Sequence, residues 1–303
     1  MPITRHYRMS SLAEPSQQLA FPAVLAGGVA IGFSPIFVRL SELGPIATGF
    51  HRLFLALPLL WLWMRFAQRR APKIAPVEWL PIALPGVLFA GDILFWHWSI
   101  TYTTVANATL LANFAPVVVT LGAWLYLRET ITGAFLLGMA LAIAGAALLV
   151  SSSVSLGGRY VFGDMLGLIT ACFFGSYMIV VARLRGRIEA STLMFYSSAV
   201  TSALLLAATL IAGESLLPHS LNGWAALSAL AWVSQAMGQG LIAYALGHLP
   251  ASFSALVILI EPLTAAVLGW AWLGEALTVM QALGGVIVLA GIMVARRACA
   301  TPA

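Results

Sequence analysis

Charged residues are scarce in this chain of 303 residues: only 8% are charged, whereas 61% are hydrophobic. Soluble domains carry about 25% charged residues, so no soluble fold can hide this much apolar surface. The net charge is +5, but the 15 Lys and Arg residues lie in short clusters between apolar runs. This pattern argues against a nucleic-acid-binding surface and is typical of the loops of a membrane protein.

Cysteine is almost absent as well, since the chain has two, Cys172 in an apolar run and Cys299 near its end. Two distant cysteines indicate neither a disulfide framework nor a metal site, so we expect no cofactor and no metal. Residues 1–18 lack the apolar core and cleavage site of a signal peptide. We therefore expect the first apolar run, from Leu19, to be retained as a membrane helix.

Motifs of intramembrane enzymes are missing too. An aspartyl protease requires a Gly-x-Gly-Asp motif, and the Gly-Asp pairs at Asp92 and Asp164 both lack the first glycine. The sequence also lacks the His-Glu-x-x-His pattern of a zinc helix. We therefore expect no enzymatic activity, and a non-transporting membrane receptor or an intramembrane enzyme is kept as an alternative.

Apolar runs of about 20 residues, the length that crosses a bilayer core of about 30 Å, recur along the chain. Charged, Pro-rich or Gly-rich breaks separate them. We predict ten transmembrane helices at 19–40, 45–66, 78–99, 104–126, 131–151, 161–182, 191–212, 222–246, 251–273 and 277–296. The predicted fold class is an all-α integral membrane protein.

Basic residues predict the orientation of these helices, because Lys and Arg accumulate on the cytoplasmic side. With the N-terminus inside, most of them fall in cytoplasmic segments, for example around Arg69 and Arg185. Only Arg159 lies clearly in an external loop, with Arg39 and Arg52 expected at the outer ends of the first two helices. We therefore predict an even number of membrane spans with both termini in the cytoplasm. The expected location is a bacterial inner membrane.

The chain contains an internal repeat. A shift of 146 residues superimposes Pro116 on Pro262, Trp124 on Trp270, Glu129 on Glu275, Thr132 on Thr278, Gly138 on Gly284 and Gly145 on Gly291. The aligned stretch covers helices four and five of one half and nine and ten of the other. Five helices per half mean that the halves cross the membrane in opposite directions, as in secondary transporters that bind substrate at the midplane.

The predicted organisation follows from this repeat. Residues 1–18 form a cytoplasmic N-terminal segment and residues 19–155 the first five-helix repeat. Residues 156–297 form the second, inverted repeat, and residues 298–303 a cytoplasmic tail.

Two segments carry a family resemblance. The stretches from Pro116 to Leu127-Arg128-Glu129-Thr130 and from Pro262 to Leu273-Gly274-Glu275-Ala276, each followed by a Gly-punctuated helix, resemble the paired EamA domains of the drug/metabolite transporter superfamily. In the first stretch Arg128 replaces the customary glycine. The run from Gly32 to Leu40 with Gly44-Pro45 resembles the YddG-type aromatic amino acid exporters. The resemblance implies export of small metabolites by alternating access.

Polar side chains inside apolar helices are the candidate substrate ligands, because they are costly in lipid and tend to face a cavity. Asp92 shares a helix face with Trp96, and His97 is adjacent. A carboxylate there can hold a substrate ammonium or take up a proton. The alternative is a neutral Asp92 that is hydrogen-bonded to a neighbouring helix.

Prolines mark the second candidate region. Glu261 precedes Pro262 near the middle of helix nine, with Ser254 on its side, and Asn113 lies one turn before Pro116 in helix four. A proline removes a backbone donor, so each helix can bend and present polar atoms to a cavity. The alternative role of Glu261 and Asn113 is to cross-link helices.

Helix eight supplies the third set, in which Trp232, Gln235 and Gln239 are predicted to form one stripe. Amides beside an indole suit an uncharged, partly aromatic solute whose ring stacks on Trp232. Alternatively, the glutamines join helices through hydrogen bonds worth about 1 kcal/mol.

Positive charge is the scarcest feature of the predicted interior, with Arg39 and Arg52 both expected near the outer surface. Phosphate-bearing solutes need Arg or Lys clamps. A zwitterion or neutral metabolite with an apolar side chain fits better, and aromatic or other hydrophobic amino acids are favoured over other neutral or cationic metabolites and drugs.

Asp92 and Glu261 are available for proton coupling, although facilitated diffusion fits equally well. The expected partners are a small-molecule substrate, the lipid bilayer and, if transport is coupled, protons.

Overall fold

The computed structural model describes residues 18–69, 79–103, 105–150, 161–274 and 278–300. Within these ranges the chain is helical and has no strand. The helical segments are α1 (Ala20–Leu40), α2 (Pro45–Gln68), α3 (Trp79–Tyr102), α4 (105–127), α5 (Gly133–Val150), α6 (Val161–Leu184), α7 (Ala190–Ala212), α8 (221–245), α9 (251–273) and α10 (Val279–Ala300).

Eight helices of the described ranges are long and apolar enough to cross a membrane, and they correspond to α1–α4, α6, α7, α9 and α10. The α5 helix is apolar but shorter. In α8, ten residues from Leu230 to Gln239 form a π-helix, which interrupts the α-helical pattern. The prediction of an all-α, multi-pass membrane protein is confirmed, and the observed helices lie within a few residues of the predicted ones.

Four helices are interrupted shortly before a proline, with one or two helical residues between the break and the proline. The breaks lie at Phe33 in α1, Leu55–Ala56 in α2, 113–114 in α4 and 258–259 in α9, and the prolines are Pro35, Pro58, Pro116 and Pro262. Proline has no N–H to donate to the carbonyl four residues earlier. In α9 the Glu261 N–H donates instead to the Ile258 carbonyl at 2.8 Å, in a tighter turn. The expected bends at Pro116 and Pro262 therefore take the form of breaks.

The α5 and α10 helices pack through glycines. A Cβ atom on Gly138 would lie 2.7 Å from the Gly291 carbonyl oxygen, and one on Gly145 would lie 2.6 Å from that of Gly284. Only glycine allows this approach of two backbones. The start of α5 meets the end of α10, so the two helices are antiparallel. The 146-residue shift converts the Gly138–Gly291 pair into the Gly284–Gly145 pair.

A second pair of helix contacts follows the same relation. A Cβ atom on Gly32 in α1 would lie 3.0 Å from the Glu261 carbonyl oxygen in α9. One on Gly175 in α6 would lie 3.4 Å from the Ala115 carbonyl oxygen in α4. Ala115 and Glu261 are the residues that the shift superimposes. The first helix of each predicted half thus packs against the fourth helix of the other.

Two sets of polar contacts join the predicted halves. In the first set, Glu42 accepts hydrogen bonds from the Ser220 hydroxyl and from the backbone N–H groups of His219 and Ser220. Beside it, Glu214 accepts from the Ala47 N–H at 2.8 Å. The Ser220 hydroxyl, followed by the two backbone donors, lowers the pKa of the Glu42 carboxyl. The Glu42 contact therefore favours the ionised carboxylate.

In the second set, Glu129, which follows α4, accepts from the Ala251 N–H at 2.6 Å and from the backbone and hydroxyl of Ser252. These donors begin α9. Burial raises the pKa of Glu129, and the hydrogen bonds from Ser252 and Ala251 oppose that effect. This Glu129 contact ties the loop after α4 to the start of α9.

Several predictions fall on residues outside the described ranges. These are the N-terminal segment apart from Gln18, the boundary between residues 155 and 156, the external loop with Arg159, and the position of Glu275. The predicted tail from residue 298 begins inside α10, which continues to Ala300.

Candidate functional site

A cavity of about 190 Å³ lies among α1, α2, α3, α4, α6, α8 and α9. This space holds on the order of ten water molecules. Aromatic and aliphatic side chains form much of its wall, among them Phe89, Phe174 and Met178. Both predicted halves contribute helices, so the cavity lies between them.

Most of the predicted site residues meet at this cavity. Those that line it are Asp92, Trp96, His97, Asn113, Pro116, Gln239 and Glu261. Asp92 and Trp96 are one turn apart on α3, as their spacing predicts. Glu261 comes from α9, so the two carboxylates reach the cavity from different halves.

The broken helices α4 and α9 bring backbone as well as side chains to the cavity. Asn113 and Ala115 line it at the α4 break, and Ile258 and Leu259 line it at the α9 break. Irregular backbone at membrane depth is tolerated where it borders a cavity, and discontinuous helices form the substrate sites of many transporters. The two proline-associated breaks therefore face one site.

Four predicted residues lie outside the cavity lining. Trp232 is half exposed, and its indole N–H donates to the Leu55 carbonyl at 3.2 Å, at the α2 break. Ser254 is buried and donates to the Pro250 carbonyl at 2.9 Å. Pro262 follows the lining residue Glu261 in α9, and Gln235 contacts Arg52.

The predicted stripe of α8 is split by its π-helical geometry. The wider π turn changes which residues share a face. Gln235 and Gln239 are buried at 1% and 2% exposure, whereas Trp232 is 52% exposed. The three side chains therefore do not form one ligand surface.

Arg52 is the site residue that the sequence did not assign to the binding site. It was expected near the outer end of the second helix, and its side chain lines the cavity. Its guanidinium carbon lies 5.6 Å from the centre of the Phe89 ring, and it interacts electrostatically with Glu261 and Asp92. One signal was available: Arg52 lies about two turns inside the helix that begins at Pro45. The cavity therefore contains a fixed positive charge.

Several buried polar atoms at the cavity have no hydrogen-bond partner within the described part of the chain. They include the Ser34 hydroxyl, the Asn113 side-chain nitrogen and the Gln239 side-chain oxygen. An unsatisfied buried polar group costs about 1–3 kcal/mol. A polar solute or water in the cavity would supply the missing partners.

Comparison with known proteins gives the family. The family model of EamA-like transporters matches the chain twice, at residues 18–151 and 161–297. The protein therefore belongs to the EamA-like transporter family, within the drug/metabolite transporter superfamily, and the predicted resemblance is confirmed at this level.

Its relatives are named as transporters. An uncharacterized transporter of Archaeoglobus fulgidus is 30% identical over 268 residues, which cover 85% of this chain and 90% of the relative. The pseudopaline exporter CntI of Pseudomonas aeruginosa is 27% identical over 205 residues, covering 67% and 70%. A probable terminal-alkyne amino-acid exporter of Streptantibioticus cattleyicolor is 26% identical over 278 residues, covering 88% and 89%.

A protein of known crystal structure has the same fold, with a TM-score of 0.79 at 16% identity over 94% of this chain and 99% of the other. Family and relatives together support a membrane transporter of small molecules. The YddG-type specificity stays a prediction.

Proposed function

We propose that the protein is a secondary transporter that exports small amphiphilic metabolites, with aromatic or other hydrophobic amino acids as favoured substrates. The observation that carries this proposal is one cavity with an apolar wall, a guanidinium and two carboxylates. The apolar wall suits a hydrophobic side chain, and the charged groups suit an amino acid backbone. Two relatives named as exporters of pseudopaline and of terminal-alkyne amino acids favour this direction and class.

We further infer that ten helices cross the membrane as two inverted five-helix repeats. The family model matches once in each half. The paired glycines of α5 and α10, and the reciprocal packing of α1 on α9 and α6 on α4, are what a two-fold relation between the halves would produce. Such repeats favour alternating access, in which one half rocks against the other around a central site.

We propose the predicted orientation in a bacterial inner membrane, with both termini in the cytoplasm. In that orientation the lining residues of α1, from Ile31 to Val38, lie in its outer half, and Thr48 and Arg52 lie near the outer end of α2. The cavity then extends from the middle of the bundle toward the external side.

A second candidate is the export of cationic metabolites or drugs. Asp92 and Glu261 outnumber the single guanidinium of Arg52 at the cavity, which favours positively charged solutes over polyanions. Phosphate-bearing solutes remain disfavoured, because two carboxylates face the same space.

Counterflow in proteoliposomes tests the proposal. We expect preloaded phenylalanine to drive uptake of labelled phenylalanine. Exchange of benzyltrimethylammonium should be lower than that of phenylalanine, and a sugar phosphate should exchange little. Trp96→Ala should reduce exchange several-fold, because Trp96 lines the cavity. Leu137→Ala, at a residue 58% exposed on α5, is the matched control and should not. Exchange of the sugar phosphate alone would reject the substrate class, and movement of none of the three would reject transport.

A further inference from the structure

The Arg52 guanidinium is held in place by an uncharged hydrogen-bond partner rather than by a close ion pair. Its Nε donates to the Gln235 side-chain oxygen at 3.0 Å, and this is its only hydrogen bond within the described part of the chain. A guanidinium has five N–H donors, so the four on its terminal nitrogens remain. Two terminal nitrogens in a fixed fork match the two oxygens of a carboxylate.

Gln235 contributes an acceptor that carries no charge. It is 1% exposed and lies behind Arg52, outside the cavity lining. A carboxylate in its place would pair with the guanidinium and cancel its attraction for an anion. An amide fixes the side chain through Nε and leaves the positive charge for a ligand.

Opposite charges lie in the same cavity. Arg52 interacts electrostatically with Glu261 and Asp92, and all three residues line the space. A solute with only an anionic group would meet repulsion from two carboxylates, and one with only a cationic group would meet repulsion from the guanidinium. A solute with both groups can place each against its opposite and adds no net charge to a buried site.

We propose that this cavity is a zwitterion site, in which Arg52 binds the substrate carboxylate, Gln235 positions Arg52, and Asp92 and Glu261 receive the substrate ammonium. The assignment rests on the proposed transport function and deepens it by naming the groups that the solute must carry. It also explains why a basic residue lies inside an otherwise apolar helix.

Binding to the purified full-length protein, measured by calorimetry, tests this assignment with four ligands that share one ring. They are phenylalanine, phenylalaninamide, 3-phenylpropionate and phenethylamine. We expect phenylalanine to bind at least tenfold more tightly than each of the other three. Arg52→Gln should weaken phenylalanine at least tenfold and leave phenylalaninamide unchanged or tighter. Arg52→Lys should recover only part of the preference, because an ammonium lacks the planar fork.

Gln235 is tested as a positioning residue through selectivity. Gln235→Glu keeps an acceptor for Nε but neutralises the guanidinium, so the ratio of phenylalanine to phenylalaninamide affinity should fall toward one. Gln235→Leu should lower the same ratio less, because the charge remains. Gln281→Glu makes the same change on α10, away from the cavity, and should leave the ratio unchanged.

The outcomes separate the inference from the transport proposal. If Arg52→Gln weakened phenylalanine and phenylalaninamide equally, Arg52 would be a structural counter-ion and the zwitterion site would be rejected, with transport unaffected. If the wild-type protein bound phenylalanine selectively but moved no solute in vesicles, transport would be rejected and the site would stand. Equal binding of all four ligands, or of none, would also overturn the site.

Discussion

At the scale of single residues, Asp92 and Glu261 are the carboxylates on which proton coupling would depend. Each lines the cavity, and they reach it from α3 and α9. A carboxylate that releases a proton to one side and regains it from the other can drive uphill transport, whereas its amide cannot titrate.

We therefore expect Asp92→Asn or Glu261→Gln to abolish uphill movement of phenylalanine driven by an imposed pH gradient, while downhill counterflow continues at a reduced rate. Labelled uptake into proteoliposomes with and without the gradient measures the difference. Asp164→Asn is the matched control, because Asp164 accepts from the Thr103 hydroxyl at 2.7 Å and does not line the cavity. Uphill transport that survived in both cavity variants would end the coupling hypothesis.

The sequence reveals some of these residues and hides others for physical reasons. Asp92, Asn113 and Glu261 stand out because a polar side chain within an apolar run has few places to go except a cavity or another helix. The role of Arg52 is not evident from the sequence, because a basic residue near the end of an apolar run has the same pattern as a basic residue in a membrane-protein loop. The role of Gln235 depends on contact with a residue 183 positions away, which local pattern cannot indicate.

At the scale of helices, local rules account for the breaks at prolines but not for the π-helix of α8. A proline lacks its N–H wherever it stands, so Pro116 and Pro262 predict a disturbance from sequence alone. The π-helix from Leu230 to Gln239 carries no such marker. Its wider turns separate Trp232 from Gln235 and Gln239. Residues that α-helical spacing predicts on one face therefore lie on different faces of α8.

The contact between α5 and α10 gives a prediction at this scale. Leucine in Gly145→Leu would meet the backbone of α10, since even a Cβ atom lies 2.6 Å from the Gly284 oxygen and the Val288 nitrogen. Backbone cannot move aside as a flexible side chain can, so the helices must separate, and overpacking of this kind costs about 1–3 kcal/mol. We expect a lower midpoint of thermal unfolding in detergent, measured by circular dichroism.

Gly133→Leu provides the comparison for that measurement. It makes the same substitution on the same helix at a position where a Cβ atom has nothing within 4 Å. The Gly133→Leu protein should unfold near the wild-type midpoint. Equal midpoints for the two variants would contradict the close packing of α5 on α10.

At the scale of the whole molecule, the internal shift of 146 residues predicts two related halves, and the structure adds how they are joined. Glu42 and Ser220 connect the halves through one pair of loops, and Glu129 and Ser252 connect them through another. These contacts have no local sequence signal, because each joins segments that are far apart in the chain. One proposed span precedes the loop of Glu42, and four precede the loop of Glu129. Since each span crosses the membrane once, the two contacts would lie at opposite ends of the bundle.

Rocking of one half against the other cannot leave both contacts intact, because opening either end separates the residues that meet there. The Glu129 contact is the better one to hold shut, since its partners begin α9, which carries the lining residue Glu261. A covalent link at that end should stop turnover while the cavity still binds its solute. In a rigid bundle with a fixed pore, the same link would leave the transport rate unchanged.

Cysteines at positions 129 and 252, in a chain whose own Cys172 and Cys299 have been replaced by serine, make the link possible with a short bifunctional methanethiosulfonate reagent. We expect cross-linking to reduce phenylalanine counterflow at least tenfold, with recovery on reduction and with binding affinity changed little. Each single-cysteine variant, treated identically, should keep its activity. Full counterflow in cross-linked protein would show that the loop after α4 and the start of α9 stay together throughout transport, and rocking about this end would then have to be abandoned.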